Sequence, residues 1–236
     1  MLEQTIALTN QLAWRLINSK FPPIDIFDDV ADASEFTALF AIQQLTNPRL
    51  QNEVGNLALL PPAQIPFGIT GCSYACAPFT HVNPDGSRFS DGSFGVLYLA
   101  DEPETAVSEV LYHQQKYWQN VPDLAFDSIV MRGLKFSFSA ELVDLSQDVT
   151  ITHPDDYGAA RITGARLLNE ASEGIQYLSV RKPGATCWAL MTPKNVHYAM
   201  QSSHYEFIYD GSQISSVRLI AATGTTEVPF LPNDHV

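Results

Sequence analysis

Asp85–His113, DGSRFSDGSFGVLYLADEPETAVSEVLYH, sets the reading of this chain because it places an arginine, two tyrosines, a carboxylate and a histidine around a glycine-rich loop. Gly86, Gly92 and Gly95 punctuate a polar run that carries Arg88, and such glycines allow tight turns and close approach of backbone to a ligand. The next six residues, Gly95–Ala100, are an apolar run that reads as a mostly buried strand carrying Tyr98. Asp101, Pro103 and Glu104 then form a helix-start signature, and helical spacing continues from Ala106 to Trp118. Residues four apart share a helix face, so Glu109 and His113 project side by side. Loop, strand and helix converge on one candidate site.

Working outward, Val130–Leu145 reads as one or two strands, Asp155–Glu173 as a helix closed by Gly174, and Gln176–Val180 as a strand carrying Ser179. A Lys182-Pro183-Gly184 turn leads to a strand over Thr186–Leu190, and Asp210–Gln213 joins Tyr205–Tyr209 to Ile214–Ala221 as a hairpin. Towards the N-terminus, residues 4 to 19 place Ile6, Leu8, Leu12, Leu16 and Ile17 mainly on one side of an expected helix. A second helix is expected from near Ser34, with a break at Asn47-Pro48 and a continuation to Gly55. Pro61, Pro62 and Pro66 mark a boundary, which gives a helical region over residues 1–63 and an α+β domain over 64–236 with a mixed or antiparallel sheet. Short amphipathic helices are not stable alone, so the first region is expected to pack on the second or pair across a homodimer.

Composition narrows the function classes. A 236-residue chain with 45% hydrophobic and 17% charged residues has the makeup of a globular protein. Its formal net charge of −13 disfavours a surface that grips phosphate backbones, so direct nucleic-acid binding is not expected. Cys72, Cys76 and Cys187 form neither a disulfide framework nor a four-ligand zinc set, and no metal is implied. The start MLEQTIALTNQLAWRL lacks a basic region before its apolar residues, and no run is long enough to span a bilayer. The expected location is the cytoplasm.

The run GSRFSDGSFGVLYLADEPETAVSE resembles the core of the RES domain family, named for a recurring Arg, Glu and Ser. Arg88 and Glu109 match the first two, and Ser179 in EGIQYLSVR matches the third; the resemblance covers roughly residues 64 to 222. Ser87 and Leu178 stand where many relatives have a glycine and a proline. The resemblance implies a split, NAD-clasping sheet similar to the diphtheria-toxin class of ADP-ribosyltransferases. It also implies an enzyme that consumes NAD+ as substrate, with no separate cofactor, as the toxin of a bacterial toxin–antitoxin pair. The partner it implies is an Xre-type helix-turn-helix antitoxin.

Cleaving the nicotinamide–ribose bond passes through an oxocarbenium-like transition state that a nearby carboxylate stabilises. Nicotinamide leaves as a neutral base and needs no acid, so one carboxylate suffices, and Glu109 is the candidate. The family match assigns Arg88 to the pyrophosphate, Tyr98 to stacking on the pyridinium, and Ser179 to a hydrogen bond that orients the ribose or the arginine. His113 is the added substrate-contact candidate, while His81, Tyr112 and Arg181 are read as packing or peripheral groups, and His153 as a helix-start residue. Water, inorganic phosphate or a protein side chain can each accept the ADP-ribose. Two rival readings are an ADP-ribosyltransferase acting on a protein and a non-catalytic module that binds an antitoxin.

Overall fold

The computed structural model describes residues 4–20, 27–28, 30, 32–46, 55–221 and 224–228. The first element is a strand, β1 (Thr5–Asn18), where the spacing of apolar residues suggested a helix. Its apolar residues serve two opposite cores: Ile6, Leu8, Ala13 and Ile17 pack in one, Trp14 and Leu16 in the other. A bulge between Leu8 and Gln11, with Asn10 at φ 50°, breaks the two-residue alternation and leaves a pattern that mimics helical spacing. Helix α1 (Ala33–Thr46) follows as expected from Ser34 onwards, capped by Asp32, whose carboxylate accepts from the Ser34 and Glu35 amides. The expected break at Asn47-Pro48 and the continuation to Gly55 lie outside the described residues.

Helix α2 (Cys72–Thr80) was not foreseen; its sequence, CSYACAPFT, is short and carries Pro78. Asp28 caps it from a distance, its two carboxylate oxygens accepting from the Cys72 amide at 2.7 Å and the Ser73 amide at 3.2 Å. The remaining elements are β2 (Leu97–Ala100), α3 (Pro103–Gln119), β3 (Asp127–Asp144), α4 (Gly158–Asn169), β4 (Gly174–Leu178), β5 (Thr186–Leu190), β6 (Val196–Tyr209), β7 (Ile214–Ala221) and β8 (Gly224–Glu227). The 127–144 segment is one long strand.

The strands form one sheet in the order β1-β2-β5-β4-β3-β6-β7-β8, with β1 also paired to β3. The circuit β1–β2–β5–β4–β3 therefore closes on itself, and β6, β7 and β8 extend it from β3. Among the described residues only the β3–β4 pair is parallel, so the sheet is mixed. One edge of β3 is taken by β6 along Asp127–Phe138 and then by β4 at Val143–Asp144, while the other edge carries β1.

Alternation along β2 assigns the two faces. Leu97 and Leu99 join the core of α1 and α2, with Phe36, Cys76, Phe79 and Phe138. Tyr98 and Ala100 join the core of α3 and α4, with Val107, Leu111 and Leu167. Each fully buried large apolar side chain contributes about 1.5–3 kcal/mol relative to exposure. Tyr98 thus faces the helix that carries Glu109. Among the described residues, no helix is long and apolar enough to cross a membrane.

Candidate active site

The arginine loop is held from three sides. Gly86 takes φ +82°, and a Cβ there would lie 2.6 Å from Ser90 O, so the turn requires glycine. Arg161 on α4 donates from Nε to Ser87 O at 3.0 Å and from Nη2 to Asp85 O at 2.9 Å. The Tyr98 hydroxyl accepts from the Phe89 amide at 2.9 Å and lies 2.8 Å from Ser87 Oγ. Burial raises the Tyr98 phenol above its usual range, which keeps it a neutral hydrogen-bonding group. The Phe89 ring, fully buried, stacks on Tyr98 and meets Tyr177 edge-on.

Arg88 points inward and is 8% exposed. Its Nη1 donates to Ile151 O and His153 O, both at 2.9 Å, and the Tyr157 ring lies 4.5 Å from its guanidinium carbon. The loop arginine therefore ties down the segment leading into α4. That segment is also clasped by Arg181, which donates to Pro154 O and covers the Tyr112 ring, and by Asp155, which accepts from Tyr112 and Lys116. Those two partners hold the Asp155 carboxyl down at about 2. His153 does act at the start of this segment, its Nδ1 accepting from the Asp155 and Asp156 amides.

Asp101, two residues before helix α3, accepts from Thr105 Oγ1 at 2.7 Å and from the Thr186 amide at 2.7 Å, locking the helix start to β5. This fixes the rotation of α3 and hence the position of Glu109. Ser179, 7% exposed, donates to Glu109 Oε1 at 2.6 Å. It lies just beyond the end of β4 rather than on it, and its Oγ also accepts from the Lys182 amide at 3.0 Å and the Arg181 amide at 3.2 Å. Ser179 orients the carboxylate. His113 sits at an exposed rim, yet desolvation of its ring holds the imidazole below 6.5, with Glu109 pulling the other way and Arg181, Arg88 and Lys116 adding to the depression.

These groups surround a cleft of about 500 Å3, a size suited to a nucleotide-like ligand. Arg88, Tyr98, Glu109 and His113 line it; Ser179 supports it through Glu109. Trp14, Arg15 and Tyr157 also line it and were not foreseen. Their neighbourhood is created by strand pairing and by a loop, neither of which leaves a local motif. Arg161 was missed for the same reason, since its partners lie on a distant loop.

A family model described as RES domain matches residues 65–210. The chain belongs to the RES domain family. Arg88, Tyr98, Glu109, His113 and Ser179 all fall within the matched RES segment, whereas Trp14 and Arg15 precede it. The uncharacterized protein y4oC of Sinorhizobium fredii (strain NBRC 101917 / NGR234) is 30% identical over 205 residues, spanning 86% of this chain and 84% of that protein. Among solved structures, the crystal structure of the M. tuberculosis MbcT–MbcA toxin–antitoxin complex contains a chain 12% identical with a TM-score of 0.36, covering 50% of this chain and 73% of that one. That likeness is too distant to define the fold of this RES protein.

Proposed function

We propose that the cleft binds NAD+ and breaks its nicotinamide–ribose bond, releasing nicotinamide and passing ADP-ribose to water or inorganic phosphate. The observation that supports this most directly is the carboxylate of Glu109, pinned by Ser179 at 2.6 Å on the wall of a cleft that also holds Arg88 and Tyr98. A carboxylate preorganised in this way stabilises positive charge as it develops on the ribose. No acid is required for the leaving group, because the pyridinium nitrogen takes the bonding electrons and becomes neutral. The oxocarbenium carbon is then attacked by a lone pair of water or phosphate, and the proton released goes to solvent or to the neutral His113 at the rim. Arg88 brings positive charge to the diphosphate with the N–H groups that the Ile151 and His153 carbonyls leave over. The Tyr98 ring supplies an aromatic wall, although its hydroxyl serves the arginine loop. A split sheet of the diphtheria-toxin type belongs to the same reading.

A chain that consumes NAD+ inside the cell that makes it must be restrained, and membership of the RES family supports a toxin controlled by an Xre-type antitoxin that covers the cleft. The test is incubation of purified chain with NAD+, with and without phosphate, and identification of products by mass spectrometry. Nicotinamide with ADP-ribose or its 1″-phosphate supports the reading; intact NAD+ at high enzyme concentration overturns it. Attachment of label from NAD+ to lysate proteins without free ADP-ribose would instead favour protein ADP-ribosylation.

A further inference from the structure

One side of α4 shapes the arginine loop. Tyr157, Arg161 and Gly164 stand four and three residues apart, spacings that bring residues to the same face of a helix, with Tyr157 at the cap. Each meets a different part of the loop. The Tyr157 ring lies 4.5 Å from the Arg88 guanidinium carbon, Arg161 donates to Ser87 O and Asp85 O, and Gly164 leaves no room for a side chain beside Phe89 O. Arg161 is the polar member of this stripe, and it is not among the residues that line the cleft.

Its Nε and Nη2 take the carbonyls on either side of Gly86. A Cβ at Gly86 would lie 2.8 Å from Arg161 Nη2 and 3.0 Å from its Cζ, so the guanidinium rests directly on the left-handed turn. A planar fork spans two carbonyls at once, which an ammonium does less well. Ser87 carries the contact onward: its carbonyl accepts from Arg161, its Oγ lies 2.8 Å from the Tyr98 hydroxyl, and that hydroxyl accepts from the Phe89 amide. The residues before and after Arg88 are thereby tied to α4 and β2, and the side chain between them is delivered to Ile151 O, His153 O and the cleft wall.

We infer that Arg161 is a positioning residue of the cleft, which sets the Arg88 guanidinium from α4 by holding the turn at Gly86 and Ser87, without touching the substrate. The inference rests on the NAD+ reading for the reaction it serves, and on the α4 stripe for the positioning itself. Arg88 faces the diphosphate in the ground state and in the transition state alike. Its displacement therefore weakens binding more than chemistry, and the loss falls on KM.

The experiment is steady-state kinetics of nicotinamide release by the full chain, as parent, Arg161→Met, Arg161→Lys, Arg88→Lys and Arg88→Lys with Arg161→Met, paired with amide hydrogen exchange of each. Arg161→Met is expected to raise KM for NAD+ roughly 10- to 100-fold, the scale of an ångström of misplacement, with kcat within about threefold of the parent. Arg161→Lys, which keeps the charge and loses the fork, is expected to fall between, and it serves as the test if the methionine variant does not fold. In the Arg88→Lys background, adding Arg161→Met is expected to change KM by less than about twofold, because it acts through a group already altered. Exchange at the Gly86, Ser87 and Phe89 amides is expected to quicken while exchange in β3 stays as in the parent. A lower kcat at unchanged KM is the mark of a smaller folded fraction and overturns the inference, as do fully additive effects of the two substitutions or a parental KM. If the parent leaves NAD+ intact, the NAD+ reading fails and exchange decides alone: quickening confined to residues 85–89 supports Arg161 as the residue that sets the loop, whereas unchanged exchange, or exchange quickened throughout the sheet, overturns it.

Discussion

Ser179 Oγ donates to Glu109 Oε1 at 2.6 Å, joining the loop after β4 to the middle of α3 across 70 residues of sequence. The same oxygen accepts two backbone amides, so the serine is itself fixed before it fixes the carboxylate. Glu109→Gln should lower nicotinamide release by roughly 10²–10³-fold, the scale for removing one preorganised charge-stabilising group, with little change in NAD+ affinity. Ser179→Ala should lower it less, and should also cost about 1–3 kcal/mol of stability because the Arg181 and Lys182 amides lose their acceptor. Chromatographic assay of nicotinamide and denaturant melts check both; a wild-type rate for Glu109→Gln would remove the carboxylate from the mechanism.

Arg88→Ala should act on structure and on binding together. It leaves the Ile151 and His153 carbonyls without their donor and uncovers Tyr157, so a stability loss of about 2–4 kcal/mol is expected. NAD+ affinity should fall with it, by about 1.5–3 kcal/mol for a charge-assisted contact. Calorimetry at a temperature where the variant remains folded separates the two effects; undiminished affinity would place the diphosphate wholly on other groups.

Gly164 on α4 packs against the arginine loop so closely that an added Cβ would lie 1.9 Å from Phe89 O. Gly164→Ala should therefore push the loop off the helix, cost about 1–3 kcal/mol or more, and weaken NAD+ binding although Gly164 does not line the cleft. Thermal melting and NAD+ titration test this; wild-type values in both would show that helix and loop separate freely.

The sign of one pH effect follows from His113. Its imidazole is held below 6.5 in the folded protein, so between 6.5 and the lower folded value the unfolded chain binds more protons. The contribution of this residue to stability is therefore complete above 6.5 and is lost as pH falls through that window. The effect is small because the residue is exposed at the rim. His113→Gln should flatten the decline in denaturation midpoint between pH 7.5 and 5.5, relative to the parent; parallel declines would assign the acid sensitivity elsewhere.

Removing residues 1–20 deletes β1, which pairs with β3 from Thr5 to Asn18 and contributes the buried Ala13 and Leu16. The truncated chain should aggregate, since the long edge of β3 is then open. Light scattering and circular dichroism of that truncation give the answer; a monodisperse, folded product would make β1 an accessory.

Legibility tracked the range of the interactions. The loop–strand–helix run from Arg88 to His113 was readable because its turn glycines, its strand alternation and its helix start are local signals. Ser179 was readable through its motif, yet its partnership with Glu109 was not, because nothing in the neighbouring sequence encodes a contact across the fold. The helix expected over residues 4–19 failed for a definite reason. A strand whose apolar residues serve two cores and which is broken by a bulge at Thr9-Asn10 loses the simple alternation that marks strands, and Leu12, Leu16 and Ala13, Ile17 then fall at helical intervals. Arg15 and Trp14 were hidden by the same error, since their access to the cleft depends on β1 being a strand beside β2.

The closed circuit of strands also orders events during synthesis. β1 leaves the ribosome early, but its hydrogen-bonding partners are Ala100 and residues 131–143, and the ring is completed only by β5. Contacts so distant along the chain form slowly. A nascent chain that has exposed Arg88 and Glu109 still lacks Ser179 and the strand that closes the wall. The wall of the cleft and the contact that holds its carboxylate are therefore complete only when the chain is present through residue 190.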